Sequence, residues 1–288
     1  MLYQAELHSE IAIPLACSPA KGKRADGPGG AIDGRAAAAH NHVMIDLTKR
    51  WPLGLDSRHW PWFYVAVLAG LALLSQLDIW ASQGAISWPD SWRAPFFFIT
   101  DYGLSDWVLI PSLILFLLAL LAGFTLRDRL RAAAYELALL FAFIFVGVGL
   151  PGLICNLFKR VVGRGRPVEF EAAGAFSFQH FVNDWTFQSF PSGHSATALS
   201  LAFVIGFLWP RLFPLFAVLG VVVAISRVPV GAHYPTDVFA GIVVGMLGAY
   251  LVRNIFARKG WLFASQPDGH VVRRPLVAVP HLFQRDRA

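Results

Sequence analysis

Six nearly unbroken apolar stretches alternate with short polar segments between residues 60 and 251. They are residues 60–77, 107–126, 138–157, 195–209, 212–225 and 238–251. A helix needs about 20 residues to cross the hydrocarbon core of a bilayer. The first three stretches are close to that length, and the last three approach it when flanking residues are included, as in 191–209. The pattern therefore predicts an all-α, polytopic membrane protein with six transmembrane helices.

Tryptophans mark the ends of these stretches, as expected for side chains at the membrane–water interface. They are Trp60, Trp62, Trp80, Trp107 and Trp209. The composition favours the same class of protein, because 56% of the residues are apolar and only 15% are charged. A soluble domain carries about 25% charged residues. A soluble enzyme, a coiled coil and a disordered chain are therefore disfavoured.

The polar termini flank the apolar region on both sides. Residues 1–50 are polar, with a Gly/Ala-rich stretch over residues 27–39, and cannot bury enough apolar surface to fold alone. We predict a flexible cytoplasmic N-terminal arm over residues 1–55 and a six-helix membrane domain over residues 56–257. A basic cytoplasmic tail is predicted over residues 258–288.

The lysines and arginines predict how the helices are oriented, because cytoplasmic segments carry an excess of them. With the N-terminus inside, 18 of the 24 fall on the inner side and six on the outer side. Both termini are then cytoplasmic. Five of the six outer charges lie in two short segments, residues 159–166 and the turn at Arg227, where topology gives no reason for them.

Three polar segments fall at the predicted outer ends of the last four helices. They are Lys159-Arg-Val-Val-Gly-Arg-Gly-Arg166-Pro167, Phe190-Pro-Ser-Gly-His-Ser195 and Ser226-Arg-Val-Pro-Val-Gly-Ala-His233-Tyr-Pro-Thr-Asp237. Lys159, Arg166 and Arg227 would repel one another unless an anion lay among them. Guanidinium groups bind phosphate oxygens bidentately, and lysine supplies a point charge. The segments therefore predict a phosphate-binding site on the outer side.

The second and third segments add reactive groups to this site. Ser192 suits the N-cap of a helix, and Gly193 allows close approach to the free N–H groups that bind phosphate at a helix start. Asp237 follows His233 by four residues and could accept a hydrogen bond from one imidazole nitrogen. The other nitrogen would then be free to act as a nucleophile.

Other interpretations of the polar residues stand beside this one. His194, His233 and Asp237 could supply a metal site, although three nearby cations argue against a metal. Several further residues need no chemical role, as solvated charges, turn residues, caps or residues at helix ends: Arg160, Arg164, Gly163, Gly165, Ser226, Asp78 and Glu136. His180 and Asp184 have no further support for catalysis.

The motifs Lys-x6-Arg-Pro, Pro-Ser-Gly-His and Ser-Arg-x5-His-x3-Asp, in this order, resemble the three signatures of the type-2 phosphatidic acid phosphatase superfamily. That superfamily includes lipid phosphate phosphatases and is related to vanadium haloperoxidases. All three motifs are complete, and the resemblance covers roughly residues 60–255. It implies a metal-independent enzyme without a cofactor.

The resemblance also implies a role for each matching residue. His233 would be the nucleophile that forms a phosphohistidine, oriented by Asp237, and His194 would protonate the leaving alkoxide. The phosphoryl oxygens would be held by Lys159, Arg166, Ser192, Gly193 and Arg227. Arginines and lysine would then supply the charge stabilisation that phosphoryl transfer needs.

The expected function is removal of a phosphate from a membrane lipid at the periplasmic face of a bacterial inner membrane. Phosphatidate, phosphatidylglycerophosphate, undecaprenyl diphosphate and lipid A phosphates are all open as substrates. The lipid bilayer is the expected partner, and no nucleic acid is. A vanadate-dependent haloperoxidase and a non-catalytic lipid or anion transporter are the competing functions. Phosphate release in detergent would separate an enzyme from a transporter.

An aromatic segment between the first two motifs could shape the substrate site. Residues 170–190 contain Phe170, Phe176, Phe178, Phe181, Trp185 and Phe187. Rings at the headgroup level suit an interface, so we expect the segment either to pack at the interface or to cover a lipid substrate as a lid. A second aromatic group, Phe96 to Phe98, lies beside Thr100 and Asp101 in the predicted first outer loop.

Overall fold

The computed structural model describes residues 45–281 except 175 and 182, so residues 1–44 of the predicted N-terminal arm lie outside the described part. The longer helices are α1 (Trp60–Ser75), α2 (Asp78–Ile86), α3 (Asp90–Thr100), α4 (Asp106–Thr125), α5 (Asp128–Val162), α7 (Gly193–Leu208), α8 (Phe213–Ser226) and α9 (Pro235–Arg258). The described chain also contains two short helices and a β-hairpin. These are α6 (Phe170–Ala173), α10 (Ala278–His281) and the strands β1 (Phe263–Ser265) and β2 (Val271–Arg273).

Each of the six apolar stretches forms a helix, namely α1, α4, α5, α7, α8 and α9. Local sequence sets their ends. Gly163 ends α5 in the left-handed region at φ +64°, and its N–H donates to the Lys159 carbonyl. Such a conformation favours glycine. Pro235 begins α9 at a position where its missing N–H costs no hydrogen bond.

Three helical segments of the described chain are long and apolar enough to cross a membrane: Asp90–Thr125, Asp128–Val162 and Pro235–Arg258. The pair α1 and α2, bent by 50°, would make a fourth. Helices α7 and α8 are apolar but shorter. The protein is thus mostly helical and membrane-spanning, while the count of six spans stays a prediction.

Helix α7 lies in the core against α5, α8 and α9. Two glycines of α9 allow this packing. A Cβ atom at Gly241 would lie 2.3 Å from the Ser192 carbonyl oxygen, and one at Gly245 would lie 2.4 Å from that of Ala196. Small residues let two helix backbones approach closely, and this approach brings the beginnings of α7 and α9 together.

The large apolar side chains of α4 point outward rather than into the core. Ile110, Ile114, Leu117, Leu118 and Leu121 are all exposed. An exposed apolar surface of this kind suits contact with lipid and would be unfavourable in water. The same holds for much of α1 and α8.

Two features were not part of the predicted architecture. The segment between the first two apolar stretches contains the helices α2 and α3. A two-stranded hairpin, in which β1 and β2 pair antiparallel, lies within the predicted C-terminal tail of the mostly helical fold. Short alternating strands of three residues give little signal in sequence.

The C-terminal segment packs against the helices along its described length. Glu136 of α5 accepts hydrogen bonds from the backbone N–H groups of Val277, Ala278 and Val279 at 2.8–3.1 Å. Its interpretation as merely solvated was therefore wrong, since it caps the start of α10. The N–H of Val271 donates to the Thr48 carbonyl and ties the hairpin to the residues that precede α1.

Candidate active site

Four helix ends supply the site residues. Lys159 lies in the last turn of α5, and Arg227 directly follows α8. Ser192 caps the start of α7, where it accepts a hydrogen bond from the Ser195 N–H. Asp237 lies in the first turn of α9, and its carbonyl accepts a hydrogen bond from the Ser192 N–H at 2.9 Å. The second and third motifs are therefore joined by a backbone hydrogen bond.

His233 and Asp237 are fully buried side by side. His233 Nδ1 lies 3.7 Å from Asp237 Oδ2, and within the described residues neither ring nitrogen of His233 has a hydrogen-bond partner. Asp237 Oδ2 accepts hydrogen bonds from the Tyr234 N–H at 2.9 Å and from Ser189 Oγ at 2.5 Å. The carboxylate is thus held firmly while the imidazole keeps its nitrogens available.

Positive charge surrounds the imidazole. Burial is the largest cause that lowers the pKa of His233 well below its usual value of 6.5, followed by the charges of Lys159, Arg166 and Arg227 and by His194. The group is therefore neutral at neutral pH. A neutral imidazole has a lone pair that can attack phosphorus, and nearby cations stabilise the charge of a phosphoryl group.

The three cations keep much of their hydrogen-bonding capacity for a ligand. Arg166 donates through Nε to the Trp185 carbonyl at 2.8 Å and lies over the Trp185 ring. Arg227 donates through Nη1 to Thr100 Oγ1, and its buried Nε has no partner in the described part of the chain. Burial and the neighbouring Arg166 lower the pKa of Arg227 to about 10, so it remains charged. This arrangement suits an anion with several oxygens.

Arg164 contradicts its interpretation as a solvated loop charge. The side chain is buried and donates from Nη1 to Asp237 Oδ1 at 2.7 Å and from Nη2 to Asp78 Oδ2 at 2.8 Å. Burial alone would lower the pKa of Arg164, but Asp237 and Asp78 raise it above its usual value. Arg164 is therefore a buried residue that holds Asp237 of the site in place, not a solvated charge.

Asp78 contradicts its interpretation in the same way. It is fully buried at the start of α2 and accepts hydrogen bonds from the Thr236 N–H at 3.0 Å and the Thr236 hydroxyl at 2.6 Å, besides the one from Arg164. No local sequence pattern predicts this contact, because Asp78 lies 158 residues from Thr236. The one signal in the sequence is that Asp78 is an acidic residue directly after an apolar stretch.

The segment between the first two motifs supports the site through its backbone. Arg166 N donates to the Thr186 carbonyl at 2.8 Å, and Ser189 N donates to the Arg164 carbonyl at 3.0 Å. Ser189 also holds Asp237 through its side chain and was not predicted as a site residue. Phe176 and Phe181 are exposed, so these two rings face away from the protein.

Gly103 and Gly193 set the position of neighbouring site residues. A Cβ atom at Gly103 would lie 2.9 Å from His194 Cβ, so a larger residue would displace that histidine. A Cβ atom at Gly193 would lie 3.7 Å from Lys159 Nζ. Ser226, by contrast, donates to the Val223 carbonyl within α8, as a structural serine does.

A cavity of about 380 Å³ opens beside these residues, between α4, α5 and α7. Its lining includes the polar residues Asp106, Asn156, Lys159 and His194 and the apolar residues Leu109 and Leu153. A ligand with a polar head and an apolar body would match such a lining.

A buried histidine among cations, in a chain with helices apolar enough to span a bilayer, is an arrangement that suits a membrane phosphatase. Comparison with known proteins gives the same class. Residues 135–261 match the PAP2 superfamily. The chain also covers 93% of a bacterial relative to which it is 36% identical. It therefore belongs to the PAP2 superfamily.

Two bacterial relatives that match most of the chain are named as phosphatases. The chain is 36% identical to a Lipid A 1-phosphatase of Rhizobium johnstonii, across 77% of this chain and 93% of that protein. It is 37% identical to a Lipid A 1-phosphatase of Rhizobium etli, across 68% and 85%. A solved transmembrane PAP2-type phosphatidylglycerolphosphate phosphatase of Bacillus subtilis covers 67% of this chain and 96% of its own, at 23% identity and a TM-score of 0.46.

Proposed function

We propose that the protein hydrolyses a phosphate ester of a membrane lipid through a phosphohistidine on His233, without a metal ion. One observation carries the proposal: His233 is buried with unbonded ring nitrogens, 3.7 Å from a carboxylate that is itself fixed by Ser189 and Tyr234. A core histidine with a purely structural role would hydrogen-bond both nitrogens, because burying an unpaired polar atom is costly.

The proposed reaction has two steps. In the first, His233 Nε2 attacks phosphorus while Asp237 accepts the Nδ1 proton in a hydrogen bond, and the bond to the lipid oxygen breaks. His194 gives its proton to that oxygen. In the second, a water attacks the phosphohistidine, His194 takes a proton from the water, and inorganic phosphate leaves. The P–N bond formed in the first step is broken in the second.

Lys159, Arg166 and Arg227 act on the phosphoryl oxygens in both steps. Their charges favour a dianionic phosphate over a neutral ligand. The bound dianion also offsets the positive potential around His194, so that His194 can carry the proton it must donate. This division of labour accounts for cations on several different elements around one histidine.

We propose a phosphate of lipid A, at the 1-position, as the substrate. The support is that two relatives matched over 93% and 85% of their own lengths are named for that activity. Other lipid phosphates and undecaprenyl diphosphate are the alternatives to be tested. The cavity between α4, α5 and α7 suits a lipid, because its lining combines Lys159 and His194 with the apolar side chains of Leu109 and Leu153.

Purified protein in detergent tests the proposal directly. We expect inorganic phosphate to be released from lipid A that carries only the 1-phosphate, and far less from lipid A that carries only the 4′-phosphate. Activity should survive a chelator, and vanadate should inhibit by mimicking five-coordinate phosphorus. Loss of activity with a chelator, restored by magnesium or zinc, would contradict the metal-free mechanism.

We further propose six spans, with both termini cytoplasmic and the site at the periplasmic face. The support is the split of 18 inner to six outer basic residues. In a Cys17→Ser background, Phe176→Cys should react with an impermeant thiol reagent in intact cells, and Asp268→Cys should not. The opposite labelling pattern would place the reaction in the cytoplasmic leaflet.

A further inference from the structure

Asp78 is a buried carboxylate outside all three motifs, and nothing in the proposed reaction uses it. It begins α2, whereas the groups it contacts belong to the loop after α5 and to the start of α9. Three hydrogen bonds reach its two oxygens, from Arg164 Nη2, the Thr236 N–H and the Thr236 hydroxyl. A structural helix cap needs no such convergence from distant segments.

Arg164 lies between two carboxylates. One terminal nitrogen donates to Asp237 Oδ1 and to Thr236 Oγ1, both at 2.7 Å, and the other donates to Asp78 at 2.8 Å. The guanidinium also lies 4.3 Å from the centre of the Tyr234 ring. The planar fork of arginine therefore has its position fixed on both edges and on one face.

This bridge reaches the oxygen opposite the one that faces His233. Asp237 Oδ1 accepts from Arg164, while Oδ2 lies toward His233 Nδ1. Rotation of the carboxylate would move Oδ2 away from the imidazole, and Arg164 opposes that rotation. Arg164 is itself kept in place by Asp78, because a buried guanidinium follows its charge partners.

We propose that Asp78 is a positioning residue for His233, which acts through Arg164 and Thr236 to fix the orientation of Asp237. This inference rests on the proposed function, since it assigns Asp78 to the orientation of that nucleophile. Asp78 does not touch the phosphoryl site. Its removal should therefore slow the chemical step more than it weakens binding.

Asp78 also offsets the positive charge of Arg164. The charged and titratable groups around His233 are Lys159 of α5, Arg166 of the following loop, His194 of α7, Arg227 after α8 and Asp237 of α9. All but Asp237 disfavour the imidazolium form. Removing the negative charge of Asp78 leaves the surroundings more positive, so the imidazolium becomes still less favourable.

The test compares Asp78→Asn with the wild type in detergent, using lipid A 1-phosphate. The amide keeps the size of the side chain and can still accept from Thr236, but it lacks the charge that holds Arg164. A small misplacement of reacting groups can cost about 100-fold in rate. We expect kcat to fall by about 100-fold, with KM within about threefold and the acid limb of the kcat profile moved to lower pH.

Two controls isolate the positioning role. Asp90→Asn removes a carboxylate that is fully exposed at the start of α3 and should leave kcat and the pH profile unchanged. Asp78→Glu retains the charge and should recover part of the lost kcat. If Asp78→Asn does not fold, Thr236→Val gives a second test, since it removes the hydroxyl that donates to Asp78 and accepts from Arg164 while both charges remain.

A double variant tests the route through Arg164. If Asp78 acts through that arginine, Asp78→Asn should add little to the loss caused by Arg164→Gln alone. Fully multiplied losses would overturn the proposed route. A lower unfolding temperature with unchanged kcat and pH profile per folded molecule would overturn the positioning role, leaving Asp78 a structural residue.

Trapping the intermediate separates this inference from the proposed function. Acid-labile, base-stable phosphate should be trapped on the wild type and not on His233→Ala. Its absence from the wild type, with full activity in His233→Ala, would contradict the proposed function itself. Trapping on the wild type together with a normal rate of phosphoenzyme formation in Asp78→Asn would overturn only the role of Asp78.

Discussion

Two buried arginines occupy opposite ends of the helical domain, and their surroundings differ in kind. Arg164 lies between the carboxylates of Asp78 and Asp237. Arg253, near the end of α9, lies between the rings of Phe207 and Tyr250 at 4.5 and 4.7 Å. Its hydrogen bonds are accepted by the backbone carbonyl oxygens of residues 47, 49 and 50 rather than by carboxylates.

The difference indicates what each charge does. Carbonyl dipoles and aromatic faces stabilise a guanidinium without adding charge, so Arg253 ties the chain before α1 to α9 as a structural contact. Carboxylates add negative charge that must itself be compensated. At the Arg164 end they meet Lys159, Arg166 and Arg227 around an unbonded histidine. We expect substitutions there to change turnover, and substitutions near Arg253 to change stability.

His233→Ala should have the largest effect on turnover. Loss of a nucleophile that acts as a unit with its neighbours costs about 10⁴-fold or more in kcat. The cation-lined surroundings of His233 should tolerate the smaller, neutral side chain, so we expect the unfolding temperature to stay close to that of the wild type. Phosphate release and a thermal unfolding curve measure both quantities. Near-normal turnover would contradict the expectation that residues at the Arg164 end control turnover while those at the Arg253 end control stability.

Arg253→Met should show the reverse pattern. The change leaves the carbonyl groups of Leu47 and Lys49 without their buried donor, at a cost of about 3 kcal/mol, whereas the Arg50 carbonyl keeps the hydrogen bond from Asn254 Nδ2. We expect an unfolding temperature lower by about 10 °C. Turnover per folded molecule should remain within about twofold. A large loss of kcat without a loss of stability would show that this end also controls the chemistry.

Gly103→Ala should reduce turnover by about tenfold. The new methyl group would lie 2.9 Å from His194 Cβ and 3.0 Å from its Cδ2, and would displace the proposed general acid. Gly84→Ala on α2 is the matched control, because no atom lies within 4 Å of a Cβ there. Equal kcat in the two variants would mean that His194 tolerates the displacement.

The acid limb of kcat/KM should lie below pH 6.5. The pKa of His233 is lowered below that value by burial and by neighbouring cations, so the imidazole stays unprotonated as the pH falls through 6.5 and is lost as a nucleophile only at lower pH. Arg227→Gln removes one of these cations and should move the limb to higher pH, whatever its effect on the maximal rate. An unmoved limb would assign that ionisation to another group.

The main helices and the three motifs could be predicted from the sequence because both depend on residues close together in the chain. Apolar runs of 14 to 20 residues are a local signal, and the motif residues lie at the ends of those runs. The roles of these residues in the reaction remain predictions.

The supports of the site depend on tertiary packing instead. Arg164 pairs with residues 86 and 73 positions away, and no local pattern separates such a buried charge from a solvated one. Ser189 likewise meets Asp237 across 48 positions. Helices α2 and α3 were not predicted, because they carry mixed polar and aromatic residues rather than an apolar run. The sequence likewise indicates no structural role for Arg253, which entered only the count of basic residues on the inner side.

The smallest effect is expected for the aromatic segment, where the structure sharpens the hypothesis of a substrate lid. Trp185→Ala removes the ring over which Arg166 lies but keeps the carbonyl that accepts from Arg166, so it should slow hydrolysis of long-chain and short soluble phosphate esters alike. Phe181 is 80% exposed and Phe176 66%. A lipid chain that packs on these rings gains about 0.8 kcal/mol per buried methylene. Replacing Phe176 and Phe181 together by Ala should therefore raise KM about fivefold for the long-chain substrate only. An equal rise in KM for the long-chain and the short ester would mean that the segment supports Arg166 and does not cover the lipid.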